Sequence, residues 1–222
     1  MNRQVITTSD GSTTIHIPEW NENFHSKHGA LQEAMHVFIK NGLQLFENRQ
    51  ISILEIGFGT GLNALVTYIE HQNLRLQVHY EGIEAYPLSW EEAQQMNYTQ
   101  IIGNEKLDPI FEHIHQSDWE TNIPITETFT LKKRRQRFET IDDINRFDLI
   151  YFDAFGARVQ PELWEEIIFE KMHKALKNKA VLVTYSAKGS VQRAMRQCGF
   201  QVEKLAGPPG KREMLRAKKS CR

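Results

Sequence analysis

The sequence predicts an α/β fold in which a mostly parallel sheet carries helices on both faces. Three observations carry that expectation. From residue 51 onward, short apolar runs alternate with segments of helical periodicity. The stretch "ISILEIGFGTGLNALV" (51–66) joins the first such strand to its helix through three glycines at alternate positions. The tail breaks the alternation: two strand-like segments joined by "AGPPGK" read as an antiparallel hairpin at the sheet edge.

Taken in order, "QVITTSDGSTTIHIP" alternates around Ser-Asp-Gly-Ser and predicts a β-hairpin. "GALQEAMHVFIKNGLQLF" places Leu31, Met35, Phe38 and Ile39 on one helix face. "ISILEIG" is a short buried strand and "LNALVTYIEHQN" its helix. "LQVHYEGIEA" is the next strand, and "PLSWEEAQQMN" starts a helix with Pro87 at a position that tolerates proline. Residues 104–130 carry the weakest pattern. "RFDLIYFDAF" has a run, Leu149 to Phe152, suited to burial on both faces. "PELWEEIIFEKMHKAL" is a helix opened by Pro161, "KAVLVTYSA" a strand, and "GSVQRAMRQCG" a helix stopped by Gly199. "FQVEKL" and "REMLRA" form the closing hairpin. The absence of repeats and low-complexity linkers predicts one domain at 49–222, with an N-terminal extension at 1–48 packed on it.

Composition is that of an ordinary soluble globular chain: 222 residues, 40% hydrophobic, 25% charged, formal net charge −1. No apolar stretch approaches the ~20 residues of a membrane span, and the N-terminus lacks the apolar core of a signal peptide. Two cysteines, Cys198 and Cys221, are too few for a disulfide framework or a zinc knuckle, and the nine histidines form no HExxH. The expectation is a cytoplasmic protein without metal. The near-neutral net charge hides an asymmetry. Residues 186–222 hold ten Lys or Arg against two Glu, and "LKKRRQR" (131–137) has five basic residues and no acid. Clustering of this kind points to an anionic partner, or else to a solvated strand and a basic tail.

The glycine turn falls between strand and helix, where open α/β sheets bind ligands. A phosphate loop needs GxxxxGK[ST], and no lysine is there. A dinucleotide turn needs a small residue at position 62; Leu62 there disfavours a nicotinamide or flavin cofactor without excluding it. What remains is acid-x-Gly-x-Gly-x-Gly, from Glu55 through Gly57, Gly59 and Gly61, which suits a cofactor with a cationic amino-acid end and no phosphates: S-adenosylmethionine. Such a cofactor calls for a second acid at the tip of the next strand, to accept from two ribose hydroxyls. Glu84 stands there, with Glu81 a competitor inside the strand. At the end of the strand "LIYFD", Asp153 would border both the methyl group and its acceptor, and Phe155 could stack on an acceptor base or simply pack. Tyr185 and Ser186 end the following strand and face the same cleft.

"EIGFGTGLNAL", "IEAYPL", "DLIYFDAFGARVQPELW", "TYSAKGSVQRAMRQCGF" and "GPPGKREML" follow one another in an order that resembles the MnmC-type methyltransferases, over about residues 50–217, with looser similarity in "HSKHGALQEAMHVF". The resemblance implies a Rossmann-like class I methyltransferase fold with a seven-stranded sheet, acting with S-adenosylmethionine on the aminomethyl group of wobble uridine in tRNA. It adds Asn63 to the cofactor turn and sets Asp153 and Phe155 at the acceptor. It also implies an oxidoreductase, encoded separately, that prepares the amine, so that the chain resembles a stand-alone methyltransferase. Two departures stand out. The family's adenine-contacting acid is missing from "KKRRQRFETI", leaving Glu139, Gln136 or main chain for that role, and "DAFGA" lacks the usual proline.

With tRNA as partner, Lys132, Lys133, Arg134, Arg135 and Arg137, together with Lys211 and Arg212, become candidate phosphate contacts. Two rival readings remain: a methyltransferase acting on a small-molecule or protein amine, and a non-catalytic RNA-binding protein that keeps the fold.

Overall fold

The computed structural model describes residues 2–220; Met1, Cys221 and Arg222 lie outside the described residues. The chain begins with a small antiparallel sheet of β1 (Gln4–Thr7), β2 (Thr13–Ile17) and β3 (Glu22–Asn23). Helix α1 (Ala30–Ala34) follows and runs on as a wider π-type turn over Met35–Lys40. The main sheet then starts with β4 (Gln50–Ile56), α2 (Leu62–Asn73) and β5 (Gln77–Ile83). Three helices come next: α3 (Trp90–Ala93), α4 (Tyr98–Ile102) and α5 (Asp108–Gln116). Strands β6 (Asn122–Thr126), β7 (Phe129–Arg134) and β8 (Phe147–Phe152) lead to α6 (Glu166–Ala175). The chain ends with β9 (Leu176–Thr184), α7 (Gly189–Gln197), β10 (Phe200–Ala206) and β11 (Glu213–Lys219).

The sheet order is β10-β11-β9-β8-β4-β5-β7-β6. Its centre is parallel, from β9 through β7, and both edges are antiparallel. This is the Rossmann-like methyltransferase architecture expected from the sequence, with the closing hairpin where it was placed. The sheet has eight strands rather than seven. The extra one, β6, comes from the stretch of weakest pattern and pairs antiparallel with β7. It is a short edge strand that carries Pro124 and leaves Asn122 and Pro124 exposed, so it lacks the apolar run that marks the central strands.

Helices cover both faces, so the central strands are apolar on both sides. Every residue of β8 is buried. One face packs Ile53, Leu65, Tyr80 and Leu149 against Ile15, Val37 and Phe38 of the N-terminal segment. The other packs Leu54, Ile150 and Phe152 against Ile168, Phe169 and Met172 of α6. Each such side chain taken out of water contributes about 1.5–3 kcal/mol. Proline behaves slightly differently from expectation. Pro87 lies before α3, whose start is fixed by a Ser89–Glu92 capping box. Pro161 opens a short 3-10 turn (Pro161–Trp164) that Glu165 separates from α6.

Candidate active site

Strands β4 and β8 lie side by side at the point where chain order reverses, and their carboxyl ends meet: Asp153 N donates to Ile56 O at 2.9 Å. Gly57 turns away from β4 with φ +91°, and a Cβ there would stand 2.6 Å from Asp153 O. Only glycine satisfies both the dihedral and the spacing. Over these strand ends lies a cleft of about 750 Å³, lined by the glycine turn, Glu84, Asn63, Asp153 and Tyr185. One wall is a continuous segment of the N-terminal extension, residues 20–28.

A polar chain runs along the floor. Asn63 Nδ2 donates to Glu55 Oε1 and to Asp153 Oδ2, both at 2.8 Å, so one amide ties the two carboxylates together. Tyr80 Oη donates to Glu55 Oε2 at 2.8 Å. Burial pushes the Glu55 carboxyl well up, more than the hydrogen bonds from Tyr80 and Asn63 bring it down. Asp153 is raised to about 7 by burial first and the charge of Glu33 second, against Asn63 and Lys211, which lower it. A cleft carboxylate in that range can bind a cation or take a proton near neutrality. At the tip of β5, Glu84 accepts from Gly59 N on Oε2 at 3.1 Å and from Tyr86 N on Oε1 at 3.0 Å, which holds its carboxylate across the glycine turn.

The structure brings Gly57, Gly59, Asn63, Glu84, Asp153, Phe155 and Tyr185 together in one cleft. Other expected residues fall elsewhere. Glu55 is 1% exposed and sits under the floor, so it orients Asn63 rather than facing a ligand. Gly61 caps α2 and packs against His115 behind the turn. Ser186 is buried away from the lining, its amide turned back to Thr184 Oγ1. Phe155 does line the cleft, but it is held edge-on between Trp20 and Phe24, with ring centroids at 5.4 and 5.0 Å.

The basic run is divided by the strand that carries it. Lys133 points inward, where its Nζ donates to His115 O at 2.5 Å and lies 5.0 Å from the Trp119 ring centre; burial brings its ammonium down to about 8. Arg134 is buried between Glu81 and Asp143, at 3.0 and 2.7 Å. Neither is available to a phosphate. Lys132 is half-buried on β7, while Arg135, Arg137 and Arg212 are exposed, Arg137 at the cleft edge. Lys211 lies inside the cleft, with Nζ on Glu33 Oε1 at 2.5 Å and 3.8 Å from the Tyr185 ring centre. For the adenine contact, Gln136 is engaged by Arg134 at 2.8 Å, whereas Glu139 lines the cleft.

Sequence reasoning missed the wall. Trp20, Phe24, His25 and Glu33 all line the cleft. Burial lowers the His25 ring to about 4, and Thr14 Oγ1 holds its Nδ1 at 2.9 Å. The only available signal was density: two aromatics and two histidines within residues 20–28, next to a helix whose apolar face is interrupted by Glu33. Among the described residues no three His, Cys, Asp or Glu side chains converge as metal ligands, and no helix is long and apolar enough to cross a membrane.

A family model described as S-adenosyl-L-methionine-dependent methyltransferase matches residues 105–220. The tRNA 5-methylaminomethyl-2-thiouridine biosynthesis bifunctional protein MnmC of Burkholderia multivorans is 28% identical over 219 residues, covering 91% of this chain and 33% of that protein. The protein of the same name from Paraburkholderia xenovorans is 28% identical over 213 residues, covering 89% and 32%. The chain thus spans about a third of the length of these curated relatives. Among solved structures, MnmC2 from Aquifex aeolicus superposes with a TM-score of 0.77 at 24% identity, covering 99% of this chain and 71% of that one. Spermidine synthase from Thermotoga maritima gives 0.60 at 16%, covering 99% and 73%. Both are likenesses of fold.

Proposed function

We propose that this chain, which belongs to the S-adenosyl-L-methionine-dependent methyltransferase family, methylates the aminomethyl nitrogen on the wobble uridine of tRNA. Its cofactor is S-adenosylmethionine, and the residues present fit that molecule. Asn63 Oδ1 is buried in the cleft without a hydrogen-bond partner, an acceptor suited to an ammonium. Gly57 and Gly59 keep side chains out of the turn, and Glu84 offers a carboxylate to a diol. When bound, the cofactor supplies an electrophilic methyl group on a sulfonium.

One observation carries the choice of an amine acceptor: Asp153, a cleft carboxylate titrating near neutrality at the junction of β4 and β8. An alkylamine resembles lysine, with a pKa near ~10.4, and arrives protonated. Passing its proton to an ordinary aspartate at ~3.9 is uphill by about 9 kcal/mol. With Asp153 at about 7 the same transfer is uphill by about 5 kcal/mol. Asn63 occupies Oδ2, so Oδ1 is the atom that holds the ammonium and takes its proton. Trp20, Phe24 and Phe155 flank this position with apolar ring surface, which suits a pyrimidine turned out of its stack and excludes water from the amine.

The tRNA assignment draws on the printed names of the relatives and on exposed cations at the cleft mouth: Lys27, Arg137, Arg158 and Lys188. A tRNA-modifying reaction fits a cytoplasmic location, and its amine would be supplied by an oxidoreductase reaction. The test is methyl transfer from labelled S-adenosylmethionine to tRNA bearing the unmethylated aminomethyl wobble uridine, against tRNA lacking the amine. Label is expected in the first alone. Label in neither, with cofactor binding intact, would move the acceptor to small-molecule or protein amines.

A further inference from the structure

Glu33 and Lys211 meet at the cleft from opposite ends of the chain. Glu33 sits on α1, is 6% exposed, and accepts Ser26 N on Oε2 at 2.9 Å and Lys211 Nζ on Oε1 at 2.5 Å. Lys211 belongs to the turn between β10 and β11, and its ammonium stands 3.8 Å from the Tyr185 ring centre. That turn is seated on the N-terminal segment: a Cβ at Gly210 would lie 2.1 Å from His28 Cδ2. Both side chains line the same cleft as Asp153.

An ion pair with one buried and one half-buried partner is poor cement, because desolvation offsets much of its attraction. Placed at a reacting carboxylate it does something more specific. We propose that Glu33 and Lys211 are a positioning pair for Asp153, a carboxylate and an ammonium of opposed effect that together set how readily Asp153 takes a proton from the acceptor. This rests on the reading of the acceptor as an amine.

The groups around Asp153 come from every element packed on it. Asn63 and, beneath it, Glu55 with Tyr80 form the floor; Tyr185 lines one side with the Lys211 ammonium over its ring and Glu33 bound to that ammonium, and His25 belongs to the N-terminal wall. The ion pairs Glu22–Arg158 and Arg137–Glu139 also line the cleft, but the charges that act on Asp153 are Glu33 and Lys211, and their influences are opposite in sign: Glu33 raises its proton affinity and Lys211 lowers it.

The test reads Asp153 itself. Full-length protein labelled at aspartate side-chain carboxyls with carbon-13 is titrated by NMR, with Asp153→Asn identifying the resonance. Glu33→Gln should move the Asp153 midpoint down by about one pH unit, and Lys211→Met should move it up by a similar amount. Glu33→Asp should restore most of the wild-type midpoint. The acid limb of single-turnover methyl transfer to aminomethyl-uridine tRNA should move in the same directions. A merely structural pair would lower the melting temperature of both variants and leave the midpoint in place, or shift both the same way; either result overturns the proposal. Opposed NMR shifts with no methyl transfer by the wild type would sustain the pair while overturning the tRNA reading, so the two fail separately.

Discussion

Glu84→Gln isolates the grip on the cofactor, because the substitution keeps the shape and removes one acceptor. Both carboxylate oxygens already take a backbone N–H, from Gly59 at 3.1 Å and Tyr86 at 3.0 Å. However the new amide turns, its NH₂ faces one of those N–H groups. Setting a donor against a donor costs about 1–3 kcal/mol once the bound cofactor fixes the amide, which in the free variant can turn to water, and exchanging a charge-assisted hydroxyl contact for a neutral one costs about 1 kcal/mol more. The expected loss is about 2–4 kcal/mol, or roughly 30- to 800-fold in S-adenosylmethionine affinity. Isothermal titration calorimetry measures it directly. A cofactor analogue lacking the ribose 2′-hydroxyl completes the cycle: it should bind wild type more weakly than S-adenosylmethionine, yet bind the variant almost as well as S-adenosylmethionine does. An affinity within threefold of wild type, in a variant that melts normally, would refute the reasoning. So would an equal loss for the analogue on both proteins, which would take the diol away from Glu84.

Asp153→Ala should lower kcat by about 10²–10⁴-fold while cofactor affinity changes only a few-fold, measured by labelled methyl transfer alongside calorimetry. Trp20→Ala should raise the KM for tRNA by roughly 5- to 150-fold, the value of about 1–3 kcal/mol for one stacked base, with little change in kcat. Charge reversal at exposed Arg135 and Arg137 should flatten the salt dependence of tRNA binding by about 0.7–0.9 in log–log slope per lost contact, whereas Lys133→Met should lower thermal stability and leave that slope unchanged. Burial would raise Glu81, but the His79 hydrogen bond and the Arg146 and Arg134 charges overcome it and hold the carboxyl at about 2. Its folded value is depressed, so its contribution is complete above the ordinary carboxylate range and is lost as pH falls from about 5 to about 2, some ~3 kcal/mol in all. Denaturant melts between those limits should show that loss in wild type and much less of it in Glu81→Gln.

The parallel core was legible because its strands are buried on both faces and its helices are punctuated by glycine and proline. The glycine turn was legible for a local reason: residue types closed to positive φ could not replace Gly57. The basic run misled for the opposite reason. In a central strand the side chains point alternately to two covered faces, so Lys133 and Arg134 went inside and found His115 O, Glu81 and Asp143. Nothing in "LKKRRQR" encodes those partners, which lie up to 53 residues away. Glu55 failed similarly. Its pattern marks the turn, but whether the carboxylate faces the ligand or supports Asn63 depends on Tyr80, one strand over.

The N-terminal wall gives the extension a chemical role as well as a packing one. Asp153 titrates near 7 chiefly because it is buried. The segment 20–28, with Glu33 behind it, lines the same cleft over the strand ends. Three of the ties on that segment bear on the cleft. Arg158 donates to Trp20 O and Asn21 O, both at 2.9 Å; Phe155 wedges between Trp20 and Phe24; Lys211 binds Glu33. The exposed Arg158–Glu22 ion pair adds less than about 1 kcal/mol, so carbonyl contacts and ring edges carry the first two ties. Two of the three ties come from loops that reach the reacting position, the Asp153–Phe155 turn and the Lys211 turn. On the reading of the acceptor as an amine, the extension thus belongs to the reacting site through the groups it sets beside Asp153.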